Sequence, residues 1–144
     1  MKNPLPKVVI IMGFDKVSSI VIDDDVDTVS VFADYLKLKQ IDVLGCGYNG
    51  KEAFELFQKH RPDVVFLDHR MPEYDGLYAL YNIRKIDPNA KIIMITADNT
   101  VDLNPKILEL KPSAIIHKPF NIDKILQTVE RVLGDEKAIP KEKV

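Results

Sequence analysis

The sequence predicts an α/β fold in which a five-stranded parallel sheet carries helices on both faces. Short β-branched or apolar runs alternate five times with amphipathic helical patterns along the chain. A strand, a helix and a further strand imply a right-handed crossover between parallel strands. No internal repeat is present in the 144 residues. We expect one domain at 18–134, an N-terminal extension at 1–17 and a charged tail at 135–144.

Each predicted strand is a run of apolar residues bounded by polar or turn-forming residues. The third run, 64–67, is apolar at every position, which is typical of a central strand buried on both faces. The second is the shortest, because it closes in the glycine-containing segment 45–50, which favours a turn. The strands are expected at 19–22, around 43–44, and at 64–67, 91–95 and 114–117.

A helix is expected after every strand. Asn121 is the expected N-cap of the fifth helix, and Asn104 followed by Pro105 indicates that the fourth begins late. The other helices are expected from the acidic turn to about 39, at 51–60, at 77–86 and at 122–133. The residues predicted to face the core are Val29, Phe32, Leu36 and Leu38 in the first helix, Ala53, Phe54 and Phe57 in the second, and Ile125, Val129 and Val132 in the fifth.

Composition and charge exclude several classes of protein. The net charge of -2 argues against a general nucleic-acid binder, which carries a basic excess. Cys46 is the single cysteine, so an intramolecular disulfide is impossible and a cytoplasmic location is expected. The apolar run 8–12 is too short for membrane insertion and lacks a following cleavage site. We interpret it as a plain extension; the alternative is a strand that covers a sheet edge or pairs with a second copy.

Polar side chains stand where four of the five strands end. Asp23 and Asp24 follow the first strand, Asp68 follows the third, Thr96 the fourth and Lys118 the fifth. The carboxyl ends of parallel strands meet at one edge, so these groups are expected to converge there. Crowded carboxylates repel one another, so some must be protonated or they must share a cation, and Mg²⁺ prefers such oxygen ligands. A lysine and a hydroxyl beside that metal suit phosphoryl transfer to the central carboxylate.

These motifs and their spacing resemble the receiver domains of two-component response regulators. The resemblance covers about residues 18–134 and is carried by VIDDD at 21–25, LDHRMPEYDG at 67–76, ITA at 95–97 and KPF at 118–120. It implies a flavodoxin-like, doubly wound (βα)5 fold with strand order 2-1-3-4-5. It also implies a phosphoprotein that signals and is not a turnover enzyme, and that takes its phosphoryl group from a sensor histidine kinase or a histidine phosphotransfer protein.

The resemblance assigns a role to each residue of the predicted site. Asp68 is the expected phosphoacceptor, with Thr96 hydrogen-bonded and Lys118 ion-paired to the phosphoryl oxygens. Pro119 matches the position of a cis-proline in the family. Within the acidic pair, Asp24 is expected to be the direct metal ligand. The ligands expected for Mg²⁺, or Mn²⁺, are Asp23, Asp24, Asp68 and the backbone carbonyl of Arg70.

One position departs from the family pattern. Ile115 stands where the family has Phe or Tyr, three residues before the lysine. In the family that ring turns inward when the threonine hydroxyl moves to the phosphate, so the switch formed by Thr96 and Ile115 is expected to couple more weakly or differently. Arg70 and Asp98 border the same pocket; whether Arg70 is solvated or pairs with an acidic neighbour is open at this stage.

The output is expected to be protein contacts or a phosphorelay, without direct nucleic-acid binding, by a monomer or a phosphorylation-dependent dimer. Two alternatives stay open. Ile115 leaves room for a receiver-like binding module that is never phosphorylated. The segment 25–29 fits the D-x-D-x-[T/V] pattern of haloacid-dehalogenase-type phosphatases, but acidic residues at a helix start have a simpler role beside the helix dipole. His69 and His117 lack the spacing that favours a transition-metal site.

Overall fold

The computed structural model describes residues 16–134, and within them the predicted fold class is confirmed. Five parallel strands form one sheet whose strand order, numbered along the chain, is 2-1-3-4-5. The run 8–12 and the tail 135–144 lie outside the described residues. The strands are β1 (Val17–Ile22), β2 (Ile41–Gly47), β3 (Val64–Leu67), β4 (Ile92–Thr96) and β5 (Ala114–His117).

Helices cover both faces of the sheet, each over its own hydrophobic core. One core joins the second, third and fourth helices to the sheet, and the other joins the first and fifth helices to the opposite face. The four residues of β3 alternate between the two cores, and all are buried, as predicted for a central strand. The helices are α1 (Val26–Leu38), α2 (Gly50–His60), α3 (Gly76–Ile86), α4 (Pro105–Glu109) and α5 (Ile122–Leu133), with a 3-10 turn at Val101–Leu103 before α4.

Both predicted asparagine caps are confirmed. The Asn104 side chain accepts hydrogen bonds from the backbone N–H groups of Lys106 and Ile107, and Pro105 opens α4. Asn121 accepts from the N–H of Lys124 and so begins α5. Side-chain oxygens at these positions satisfy N–H groups that have no partner within the helix. As predicted, the fourth helix begins late, and it is only five residues long.

The prediction for the second strand was wrong in its length. β2 continues through Gly45 and Gly47, which read as turn residues in the sequence. A Cβ at Gly45 would lie 2.8 Å from the Leu56 side chain of α2, and one at Gly47 would lie 2.9 Å from Ile22. The glycines therefore serve close packing of α2 on the sheet, which the local sequence does not reveal.

Leu38 was also placed wrongly, because it is 76% exposed at the end of α1. Two residues turn the helix by about 200°, so Leu38 faces away from the core that Leu36 enters. In α5, Ile125 and Val129 are buried as predicted, whereas Val132 is only partly buried.

Gly76 lies at the point where α3 meets the end of β3. A Cβ there would lie 2.5 Å from the Asp68 carbonyl oxygen and 2.7 Å from the His69 Cα, both backbone atoms. Helix propensity alone favours alanine over glycine by about 1 kcal/mol. We nevertheless expect Gly76→Ala to lower the free energy of unfolding by about 2 kcal/mol, measured by urea titration.

Gly45→Ala is the matched control, because its added Cβ meets only the movable ends of side chains, Leu56 at 2.8 Å and His60 at 3.6 Å, and no backbone atom within that distance. A smaller loss of stability is expected there. Equal unfolding midpoints for the two variants would show that the close approach of α3 to β3 is not a rigid constraint.

Candidate functional site

The site is built at the carboxyl edge of the sheet, where hydrogen bonding between strands continues past their last residues. The Asp68 N–H donates to the Ile22 carbonyl at 2.9 Å, and the Asp23 N–H donates to the Gly47 carbonyl at 3.2 Å. These bonds fix the backbone on which both carboxylates stand. Asp23 and Asp68 are therefore neighbours because β1 and β3 are neighbours in the sheet.

Three carboxylates meet at this edge. One oxygen from each of Asp23, Asp24 and Asp68 lies within 4.8 Å of the other two. Asp23 and Asp68 are each only 7% exposed, while Asp24 is exposed. Within 16–134 this is the one group of three or more acidic, histidine or cysteine side chains close enough to share an ion. The donors are all hard oxygens with access from solvent, and this set fits Mg²⁺ or Mn²⁺.

Lys118 reaches into the acidic group from the end of β5. Its ammonium nitrogen lies 2.7 Å from Asp23 Oδ2 and 3.9 Å from Asp68 Oδ2. Burial by itself lowers the pKa of Lys118, but the hydrogen bond to Asp23 and the charges of Asp68 and Asp23 outweigh it, so the pKa is raised. The bond between Lys118 and Pro119 is cis, as the resemblance implied.

Asp68 is held in an environment that disfavours its charge. Its Oδ1 accepts a hydrogen bond from the His69 N–H at 2.8 Å. Burial raises the pKa of the Asp68 carboxyl to about 6; Lys118 opposes this rise, and the neighbouring charge of Asp23 adds to it. A buried carboxylate beside like charges is the kind of group that gains most from a bound cation.

Thr96 is fully buried at the end of β4. Its hydroxyl oxygen accepts a hydrogen bond from the Asp98 N–H at 3.0 Å. Together with Asp68 and Lys118, Thr96 lines a solvent-open pocket beside the carboxylates. The structure thus brings a hydroxyl, an ammonium and the central carboxylate to one pocket.

The side chain of Arg70 is paired with an acidic neighbour, which answers the question that the sequence left open. Arg70 Nε donates to Asp98 Oδ2 at 2.8 Å along the wall of the pocket. The pKa of Asp98 lies well below its usual range, first because the Thr100 hydroxyl and N–H donate to it and then because of Arg70. Arg70 itself is largely exposed, so the pair adds little to stability.

Ile115 lies in β5 opposite Met94 and is partly buried against the core beneath α4.

The ring atom Nδ1 of both His69 and His117 is buried without a hydrogen-bond partner, and neither histidine belongs to the acidic group. His117 Nε2 instead lies 2.7 Å from Asp102 Oδ1. Sequence reasoning missed this pair, because nothing in the sequence shows that the 3-10 turn passes beside β5.

Asp25, the first residue of the phosphatase-like pattern, lies outside the group of three carboxylates. It stands at the N-cap position of α1, and its Oδ2 accepts a hydrogen bond from the Thr28 hydroxyl at 2.6 Å. That bond lowers the pKa of the Asp25 carboxyl. Its place at the helix start is the one expected from the helix dipole.

Comparison with known proteins agrees with this geometry. A family model of the response regulator receiver domain matches residues 20–130. The chain belongs to this family. The receiver domain is 32% identical over 115 residues to the chemotaxis protein CheY of Bacillus subtilis, an alignment that covers 80% of this chain and 96% of CheY. Protein CcdB of the same organism is 39% identical over 92 residues, covering 64% of this chain and 77% of CcdB.

Solved structures show the same fold. The crystal structure of the CheX-CheY-BeF3-Mg²⁺ complex from Borrelia burgdorferi contains a chain with a TM-score of 0.76 and 31% identity, covering 81% of this chain and 89% of that chain. The chain therefore has the flavodoxin-like architecture and belongs to the receiver domains of two-component signalling systems. Within 16–134, the receiver domain has no helix that is both long and apolar enough to cross a membrane.

Burial of Asp68 makes the stability of the metal-free domain depend on pH. The folded carboxyl has a pKa of about 6, against 3.8 for the ordinary group. Between these values the folded state binds more protons than the unfolded state, so the free energy of unfolding falls as pH rises from about 4 to about 6. We expect Asp68→Asn to be more stable than wild type at pH 8, by about 2 kcal/mol.

Urea unfolding in the presence of a chelator measures this difference, which should close as pH falls toward 4. Asp34→Asn, at an exposed position of α1, is the control and should show no such pH-dependent difference. A stability gain by Asp68→Asn that is equal at pH 4 and pH 8 would contradict the assignment to the buried charge.

Proposed function

We propose that the receiver domain accepts a phosphoryl group on Asp68 from the phosphohistidine of a sensor histidine kinase or a histidine phosphotransfer protein. The observation that carries the proposal is the placement of the Asp68 carboxylate beside the acidic pair and 3.9 Å from the ammonium of Lys118. This arrangement supplies a nucleophile, ligands for a cation and a positive charge for the transferred group within one pocket.

In the proposed reaction an oxygen of Asp68 forms a bond to phosphorus as the bond between phosphorus and the donor histidine nitrogen breaks. The product is an aspartyl phosphate, and the donor imidazole leaves with its electron pair. Thr96 and Lys118 line the pocket that would receive the phosphoryl oxygens. The hydroxyl would donate a hydrogen bond, and Lys118, now between Asp23 and Asp68, would pair with the added negative charge.

Asp23, Asp24, Asp68 and the backbone carbonyl of Arg70 are the proposed ligands of Mg²⁺ or Mn²⁺. When bound, the ion would offset the repulsion between the carboxylate and the incoming phosphoryl oxygens. The fit of the site to such an ion is supported by the hard-oxygen donor set and by the raised pKa of Asp68, which is caused first by burial and further by the charge of Asp23.

We propose that the phosphorylated domain signals by protein contacts or passes the group along a relay, and that it does not act as a turnover enzyme. The CheY chain from Borrelia burgdorferi was crystallised with a protein, CheX, which supports a protein partner for this chain as well. The net charge of -2 supports the same choice over direct binding to nucleic acid.

Phosphorylation of Asp68 can be tested with a small acyl phosphate and Mg²⁺, using intact-mass measurement. Wild type should gain the mass of one phosphoryl group, and Asp68→Asn should gain none because the nucleophile is lost. Asp34→Asn should behave as wild type. Equal labelling of Asp68→Asn would contradict the assignment, and no labelling of wild type would favour the binding module that is never phosphorylated.

Binding of Mg²⁺ tests the proposed ligands separately. Because Asp24 is exposed, Asp24→Asn should leave the fold intact and weaken Mg²⁺ binding by about tenfold, or about 1.4 kcal/mol. Asp27→Asn, three residues further on and also exposed, should bind as wild type does. Isothermal titration calorimetry measures both affinities. Equal weakening in the two variants would show a general charge effect in place of a ligand at Asp24.

A further inference from the structure

The pair formed by His117 and Asp102 links two parts of the domain that the proposed phosphorylation chemistry does not otherwise connect. His117 is the last residue of β5, next to Lys118 in the site. Asp102 lies in the 3-10 turn Val101–Leu103, on the path from β4 to α4. His117 Nε2 and Asp102 Oδ1 are 2.7 Å apart.

One end of this link is tied directly to the proposed phosphoryl pocket. His117 is paired in the sheet with Thr96, and the Lys118 N–H donates to the Thr96 carbonyl at 2.9 Å. A movement of Thr96 toward a phosphoryl group on Asp68 would therefore act on the end of β5 as well as on β4.

The other end is reached through a continuous set of hydrogen bonds. The Thr96 hydroxyl accepts from the Asp98 N–H at 3.0 Å, and the Asp98 carboxylate accepts from the N–H and hydroxyl of Thr100 at 2.8 and 2.6 Å. The Val101 N–H in turn donates to the Asp98 carbonyl at 3.4 Å. If the Thr96 hydroxyl were drawn toward a phosphoryl group, the bond from the Asp98 N–H would lengthen, and the turn that contains Asp102 would be held less firmly to β4.

The pair has the properties of a contact that opens easily. The side chains of His117 and Asp102 are 37% and 52% exposed, so their attraction is weakened by water. His117 Nδ1 is buried without a partner, and a buried polar atom without one disfavours the present ring position. A ring position that bonds Nδ1 to water or protein would remove that cost.

Ile115 offers no aromatic ring that could couple the site to the surface in this chain. It packs against the core beneath α4 and has no ring to turn between two positions. Beyond the pair, Leu103 is 78% exposed and Leu108 of α4 is 47% exposed. Release of the turn would move this apolar surface relative to the sheet.

We propose that the pair of His117 and Asp102 is a positioning contact that holds the 3-10 turn and α4 in the unmodified state and opens when Thr96 is drawn toward a phosphoryl group. The inference rests on the proposed function of Asp68. In this chain the pair of His117 and Asp102, and not an aromatic ring, would couple the site to the surface around Leu103 and Leu108.

Beryllofluoride with Mg²⁺, as a stand-in for the phosphoryl group, tests this coupling in the full chain. If the pair stabilises the unmodified state, Asp102→Ala should bind beryllofluoride about fivefold more tightly than wild type. The amide NMR shifts of Leu103 and Leu108 in the free variant should lie toward their bound positions, so the change on binding should shrink. The ring nitrogen shifts of His117 should change on binding in wild type and hardly at all in Asp102→Ala.

Asp102→Glu should restore the wild-type affinity, because it keeps a carboxylate within reach of the ring. Asp123→Ala, at an exposed carboxylate in the first turn of α5, is the matched control and should leave affinity and shifts unchanged. A purely structural pair would give Asp102→Ala a lower unfolding midpoint in urea with unchanged affinity and an undiminished response at Leu103 and Leu108.

Unchanged affinity and an undiminished response in Asp102→Ala would overturn the coupling. The phosphoacceptor assignment would still stand if the Asp68 and His69 amides of wild type respond to beryllofluoride. Absence of any such response in wild type would overturn both, so the two failures are distinguishable.

Discussion

The contact between Lys118 and Asp23 is the interaction on which the carboxyl edge of this domain depends. Parallel strands deliver three carboxylates to a space less than 5 Å across, where they repel one another. One ammonium at 2.7 Å from Asp23 offsets part of that repulsion, and it comes from β5, at the far edge of the sheet from β2. The sheet must therefore be complete before the acidic group is compensated, which links assembly of the fold to assembly of the site.

The compensation is incomplete, and the proposed function gives a reason for this. Asp68 is buried next to Asp23, so its charged form is disfavoured in the protein without a metal. A site that stored no such repulsion would gain less from a cation or from a new bond to phosphorus. Stability comes instead from the two cores on either side of the sheet, whose side chains are fully apolar along β3. The strands, fixed between these cores, hold the three carboxylates close together despite their mutual repulsion.

The group of three carboxylates and the proposed coupling segment between β4 and α4 differ in how firmly they are held. The carboxylates stand on backbone bonded within the sheet, while the segment between β4 and α4 is fastened by side-chain pairs that are partly open to water. Elements that move in signalling come from the less stable parts of a protein. A short α4 and the 3-10 turn before it fit that description, and Ile115 beneath them gives no aromatic switch.

The sequence by itself determined the fold class, the caps at Asn104 and Asn121, and the four strand ends that supply the site, because periodicity, caps and strand-end chemistry are local. The true length of β2 depended on how closely α2 approaches Gly45, a distance between segments that no local pattern contains. In the same way, the partners of Arg70 and His117 were decided by how the segment between β4 and α4 runs past the ends of β3 and β5. Tertiary structure settled those contacts, because their geometry arises only when separate strands and loops are brought together.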